Sequence, residues 1–168
     1  MTEKGSAKGS PIGPLAVVAV AVVGMALVGT GTVDLHFLAG GWFAHHWLAW
    51  AGALFIAIYT AAFYVLKSRK REGYDTLLHV HVYGSLLSAA LVALHFTQHV
   101  TRPAEFYPDL GTGLVLFSAL IVSVITGFLI RFRWLRDGVR EWRLFHTGAA
   151  GAFYLAVVVH VLQGLRVL

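Results

Sequence analysis

Long apolar runs alternate along this chain with short clusters of charge. Uncharged stretches cover residues 9–33, 35–66, 76–101, 110–130 and 144–165. A helix needs roughly 20 apolar residues to cross the hydrocarbon layer of a bilayer. Lipid offers free backbone groups no partner, so each run is expected to be helical. The pattern predicts five spanning helices, near 13–33, 44–66, 76–99, 111–132 and 144–165. The expected fold is all-α and integral to the membrane, a single domain over 1–168. Residues 12–33 form an additional first helix, and spans two to five form a four-helix bundle over 44–166.

Composition strengthens this picture. Hydrophobic residues make up 58% of the chain and charged residues 12%, with mean hydropathy +0.73. Average soluble domains carry about 25% charge. A soluble enzyme, a disordered tail and a nucleic-acid module are excluded, despite a pI near 9.8. The chain has no cysteine. That removes disulfides, thiolate metal sites, iron–sulfur clusters and covalent Cys-x-x-Cys-His haem.

The thirteen Lys and Arg residues predict an orientation. Lys4, Lys8, Lys67, Arg69, Lys70, Arg71, Arg131, Arg133, Arg136, Arg140 and Arg143 share one side, and only Arg102 and Arg166 fall on the other. By the positive-inside rule the N-terminus is cytoplasmic and the C-terminus external. The expected location is the plasma (inner) membrane, crossed several times, with the basic loops on anionic lipid rather than nucleic acid. The first run is long and lacks a clear small-x-small cleavage site, so it reads as a retained span, not a signal peptide.

An internal repeat emerges at an offset of 65. Arg71-Glu72-Gly73 falls on Arg136-Asp137-Gly138, Phe63 on Phe128, His81 on His146, His95 on His160 and Gln98 on Gln163. The matches include the rare polar residues. Spans two to five therefore read as two tandem αα-hairpins of equal topology, with span one outside the repeat.

Nine histidines in so apolar a chain require an explanation, because ionisable side chains inside a membrane are costly and mark function. His81 and His95 are 14 residues apart, as are His146 and His160. Fourteen residues rise about 21 Å. At the supercoiled value of about 3.5 residues per turn, both imidazoles face one way. Spans three and five run in the same sense, so His81 and His146 share one depth near the inner face. His95 and His160 share another near the outer face. Haem iron takes an axial imidazole from each side, and a bilayer accommodates two such discs about 20 Å apart. Gly84, Ser85 and Ser88 on span three, and Ala149, Ala150 and Ala156 with Gly148 and Gly151 on span five, are expected to leave room for the macrocycles. Zinc fits two distant pairs less well, since its ligands converge within about 2 Å of one ion.

On these four histidines the chain resembles the di-haem b-type membrane cytochromes. The double His-x13-His is similar to that of the cytochrome b subunit of quinol-oxidising bc complexes. Helix number and sense resemble more closely the ferric reductase-like transmembrane domain of ferric reductases and NADPH oxidases. The segment Arg140-Glu-Trp-Arg-Leu-Phe-His146, with His160 downstream, is similar to that family's last haem helix. The resemblance covers about residues 50–164. It implies two haem b groups, the inner held by His81 and His146 and the outer by His95 and His160. A flavin or nicotinamide domain and a sixth helix are not found within these residues. The Pro-Glu-Trp-Tyr motif of the bc quinol site is absent, Pro103-Ala-Glu-Phe-Tyr107 being a loose echo, and the haem helices run in the opposite sense.

The other histidines remain candidates. His79 lies roughly 160° around the helix from His81 and is the rival ligand in a different register. His99 competes with His95, although 18 residues from His81 spans about 27 Å, nearly the whole bilayer. His36, His45 and His46 read as interfacial, beside an aromatic belt of Trp42, Trp47 and Trp50. A sharper reading gives His45, His46 or His99 to a quinone pocket, where histidine relays protons. Arg102 outside, and Arg140 or Arg143 inside, are candidate partners for haem propionates.

The functional expectation is an electron-transfer component of an oxidoreductase. It carries electrons across the membrane and exchanges them with a quinone pool, with other subunits or a soluble protein as donor or acceptor. One alternative is a stand-alone ferric reductase-like conduit to an external acceptor. Another, of a different class, is a haem-free transporter or scaffold.

Overall fold

The computed structural model describes residues 10–69, 73–101, 111–132, 134, 138–165 and 167. The first helix, α1, runs over Ile12–Gly29. A two-residue ribbon follows, β1 at Leu38–Ala39 paired antiparallel with β2 at Trp42–Phe43. Next come α2 (Ala44–Phe55), a π turn (Ile56–Thr60) and α3 (Ala61–Arg69), which together form one span. Three long helices complete the chain: α4 (Tyr74–Val100), α5 (Gly111–Arg131) and α6 (Val139–Gly164). Five helices are therefore long and apolar enough to cross a membrane, and they pack as a bundle. Their outward faces are apolar as well, with Val20, Leu87, Ile125 and Leu155 exposed. Helices apolar on every side suit lipid rather than water.

Two boundaries differ from the charge-defined spans. The first helix stops at Gly29 rather than near 33, closed by Thr30, whose hydroxyl donates to the Ala26 carbonyl at 2.9 Å. The last helix begins at Val139, five residues before the uncharged run. Both α4 and α6 start immediately after a glycine in the left-handed region, Gly73 (φ +82°) and Gly138 (φ +72°). A side chain there would be strained. Gly73 stands eight residues before His81 and Gly138 eight before His146, as the 65-residue offset requires.

The packing is pairwise. α2 lies along α4, α5 lies along α6, and α4–α5 contact joins the two pairs. α1 packs on the outside of α4. Among the described residues, α4 and α6 scarcely touch. The core is a small apolar plug of Ile56, Val92, Leu116, Leu120 and Phe153. Phe153 is 3% exposed and lies seven residues from both His146 and His160, so the plug separates an inner from an outer level. The wider π turn leaves the Ile56 carbonyl to accept the Tyr154 hydroxyl at 2.9 Å, tying α6 across the bundle.

Candidate functional site

The outer level starts from the ribbon. Gly40 and Gly41 both have positive φ and make the two-residue turn between Ala39 and Trp42, the conformation a tight hairpin demands. That reversal starts α2 at Ala44 and sets His45 and His46 in its first turn. On α4, His95 and His99 are one turn apart and share a face. The four imidazoles converge, with every ring-to-ring distance between 4.2 and 5.7 Å. One nitrogen from each lies within 4.8 Å of the others, close enough for the quartet to hold a metal ion.

His45 is 0% exposed, so at the mouth of α2 it is enclosed by protein. Its ring stacks on Phe43, and its Nδ1 stands 3.0 Å from Nδ1 of His95. Deeper in the outer loop, the Gln98 amide donates to His36 Nδ1 at 2.7 Å, and Gln98 Oε1 accepts the Leu35 N–H at 3.2 Å. These bonds hold the loop over the quartet. Trp47 donates to the Ala39 carbonyl at 2.7 Å and braces the ribbon.

Beside the quartet opens a cavity of about 730 Å³ between α2, α4, α5 and α6. That is within the ordinary range for small-molecule and cofactor sites. Trp50, Phe96 and Phe117 line it, and His46, His95, His99 and His160 face into it. His95 and His160 thus meet in one cavity, within electrostatic reach of each other. His81 and His146 lie outside it, deeper in the bundle, and are likewise within electrostatic reach of each other.

The side chains that orient these rings come from α5. The Thr112 hydroxyl donates to Gln163 Oε1 at 2.7 Å, so its lone pair is left to accept Nδ1–H of His160 at 3.2 Å. One helical repeat deeper, Thr126 donates to the Val122 carbonyl at 2.8 Å and accepts Nδ1–H of His146 at 3.0 Å. The Ser123 carbonyl accepts that same N–H at 3.0 Å. Each α6 histidine therefore carries its proton on Nδ1 and leaves Nε2 bare, the tautomer of a metal-ligating imidazole. A glycine follows each threonine, and its missing side chain gives the ring space. A Cβ at Gly113 would lie 3.5 Å from His160 Cε1, and one at Gly127 3.3 Å from His146 Cε1.

His81 stacks flat on Phe63, with centroids 4.5 Å apart and planes 11° apart. Its buried Nδ1 has no hydrogen-bond partner among the described residues. An orphaned buried nitrogen is costly, and a ligand or water is the usual remedy. His79 is exposed and spends its Nδ1 on the Asp75 carbonyl at 2.7 Å, which points it away from the site.

Some of the small residues expected to make room for a cofactor face elsewhere. A Cβ at Gly84 would collide with the Phe55 ring, so Gly84 faces α2. The Ser88 carbonyl abuts Gly52 of α2. Gly148 and Gly151 open outward with nothing near them, and Ala156 packs on the core plug. Arg140 and Arg143 are exposed. Arg102 and Pro103–Tyr107 lie outside the described residues.

Two features escaped the sequence reading. Thr112-Gly113 and Thr126-Gly127 repeat at the same 14-residue interval as the histidines. That spacing on the neighbouring antiparallel helix was the available signal. The convergence of His45 and His46, named singly as quinone-pocket candidates, on His95 and His99 was the other. Comparisons with protein-family models, with curated proteins and with solved structures return no match.

Proposed function

We propose that this membrane protein is a di-haem b-type electron carrier, with His81 and His146 as the inner axial ligands and His95 and His160 as the outer. The observation that carries this reading is the doubled Thr-Gly step of α5, which holds Nδ1 of each α6 histidine and leaves both Nε2 atoms bare at levels 14 residues apart. Two further features fit it. α4 and α6 stand apart among the described residues, and the outer pair shares a cavity of cofactor size. When bound, haem b supplies a one-electron couple with two axial imidazoles.

The chain's own residues do the rest. Thr112, Thr126 and the Ser123 carbonyl fix ring orientation and raise ligand basicity. The plug around Phe153 keeps water from the space between the levels. The topology proposed from the cation pattern sets the N-terminus in the cytoplasm and the outer pair toward the exterior. A quinone pool or a partner subunit is the proposed source or acceptor of electrons, and the outer cavity, with His46 and His99 at its wall, is the proposed contact.

A reduced-minus-oxidised spectrum of the purified protein tests the reading, with a b-type α-band and two haems per chain as the expected result. His81→Ala and His146→Ala should each remove the same haem, and His95→Ala and His160→Ala the other. A protein without haem overturns the proposal. Loss of one haem by His81→Ala and His160→Ala together would overturn the pairing.

A further inference from the structure

We infer that His45, His46, His95 and His99 form a site for a single transition-metal ion of the zinc or copper(II) class, beside the outer haem position and sharing His95 with it. The haem reading leaves His45, His46 and His99 without a role, yet the structure gathers them around His95 with all six ring distances under 5.8 Å. Apolar packing alone would not bring together four imidazoles from the start of α2 and the end of α4.

The donor set defines the ion. Among the described residues the donors are four nitrogens, a set that suits neither calcium nor magnesium, which need oxygen ligands. Imidazole suits zinc, copper, nickel and iron. His95 and His99 supply the i, i+4 pair that presents two ligands from one helix face. His45 and His46 complete the set from the first turn of α2. The ligand atoms now lie within 4.8 Å of one another. A tetrahedral ion with bonds of about 2.0–2.1 Å holds its nitrogens about 3.4 Å apart, so binding draws the rings inward by rotamer adjustment.

The site is independent of the haem reading and shares one imidazole with it. With His95 engaged by haem, three imidazoles and one open position remain, the ligand number of a reactive rather than a structural zinc site. His46 and His99 line the same cavity as His95 and His160, so the ion would stand at the wall of the outer haem position.

The experiment uses the full chain, purified without a polyhistidine tag, stripped with a chelator and titrated with Co2+ and then Zn2+. One equivalent per chain is expected, with tetrahedral Co2+ bands displaced by Zn2+. X-ray absorption of the zinc form should give a first shell with at least three imidazole nitrogens. The His46→Ala/His99→Ala double variant should bind on the order of 100-fold more weakly or not at all, while its haem band stays at the wild-type level. That band also reports folding. No stoichiometric binding by the wild-type chain, an oxygen first shell, or undiminished binding by the double variant overturns the site. A wild-type chain that binds one ion but no haem would sink the haem reading and leave this one standing.

Discussion

The Nδ1 atoms of His45 and His95 stand 3.0 Å apart. Two like nitrogens bond only when one carries a proton and the other a lone pair. The two rings therefore hold opposite tautomers. With the proton on Nδ1 of His95, its Nε2 is bare, matching the state that Thr112 imposes on His160 across the cavity. His45 thus does for α4 what Thr112 does for α6.

Replacing His45 with phenylalanine preserves ring volume and the stack on Phe43 but removes the bond to His95. Losing an orienting partner of this kind typically costs 10–100-fold in affinity for the bound metal centre. The outer haem should become easier to extract by that order, and the inner haem should not. Haem stoichiometry after detergent washing, read beside a redox titration, checks this. Equal loss of both haems would contradict it.

The two threonines of α5 should not be equivalent. Among the described residues His160 bonds to Thr112, whereas His146 bonds to both Thr126 and the Ser123 carbonyl. A neutral hydrogen bond contributes about 0.5–1.5 kcal/mol. Thr112→Val should loosen the outer haem by about 3–10-fold, and Thr126→Val should affect the inner haem less. Competition with free imidazole, followed separately for each haem, measures the ranking. A larger effect from Thr126→Val would reverse the assignment of these partners.

Much of this architecture is readable from spacing, and its failures share one cause. Charge positions delimit the spans because a buried charge is costly everywhere along a lipid-facing helix. The 14-residue interval identifies His81, His95, His146 and His160 because it depends only on helical rise. Rotation is harder. Nothing in the interval says whether Gly84 faces α6 or α2, and the Phe55 ring occupies the space it leaves. His45 was legible as a histidine at a span's start, but its burial depends on the Gly40-Gly41 reversal, which folds the outer loop inward. A three-dimensional closure of that kind leaves no periodic trace.

Two glycine substitutions should act in opposite directions on stability. A Cβ at Gly52 would lie 2.8 Å from the Ser88 carbonyl oxygen, and backbone cannot yield as a flexible side chain does. Gly52→Ala should push α2 from α4 and cost about 1–3 kcal/mol, the usual range for overpacking. Gly148 has open space around it in mid-helix. Gly148→Ala should stabilise by about 0.5–1 kcal/mol. Thermal unfolding in detergent, followed by circular dichroism, compares them. A neutral Gly52→Ala would mean that α2 and α4 do not approach so closely.

Lys67 offers an electrostatic test of the inner level. Its ammonium lies 4.1 Å from the Tyr64 ring centroid and 5.9 Å from that of Phe63, which in turn stacks on His81. It is within electrostatic reach of both His81 and His146. A nearby cation favours the reduced state of an iron centre, so Lys67→Gln should lower the inner potential. Across an effective dielectric near 20, a unit charge ~15 Å away is worth about 1 kcal/mol. For a one-electron couple that is roughly 45 mV, an upper bound because Lys67 is exposed and screened. Lys67→Arg keeps the charge and should leave the potential in place. The outer potential should move much less, since the second level lies about 21 Å further along the helix. A redox titration resolving two waves reads all three outcomes, and equal shifts of both waves would place Lys67 away from the inner pair.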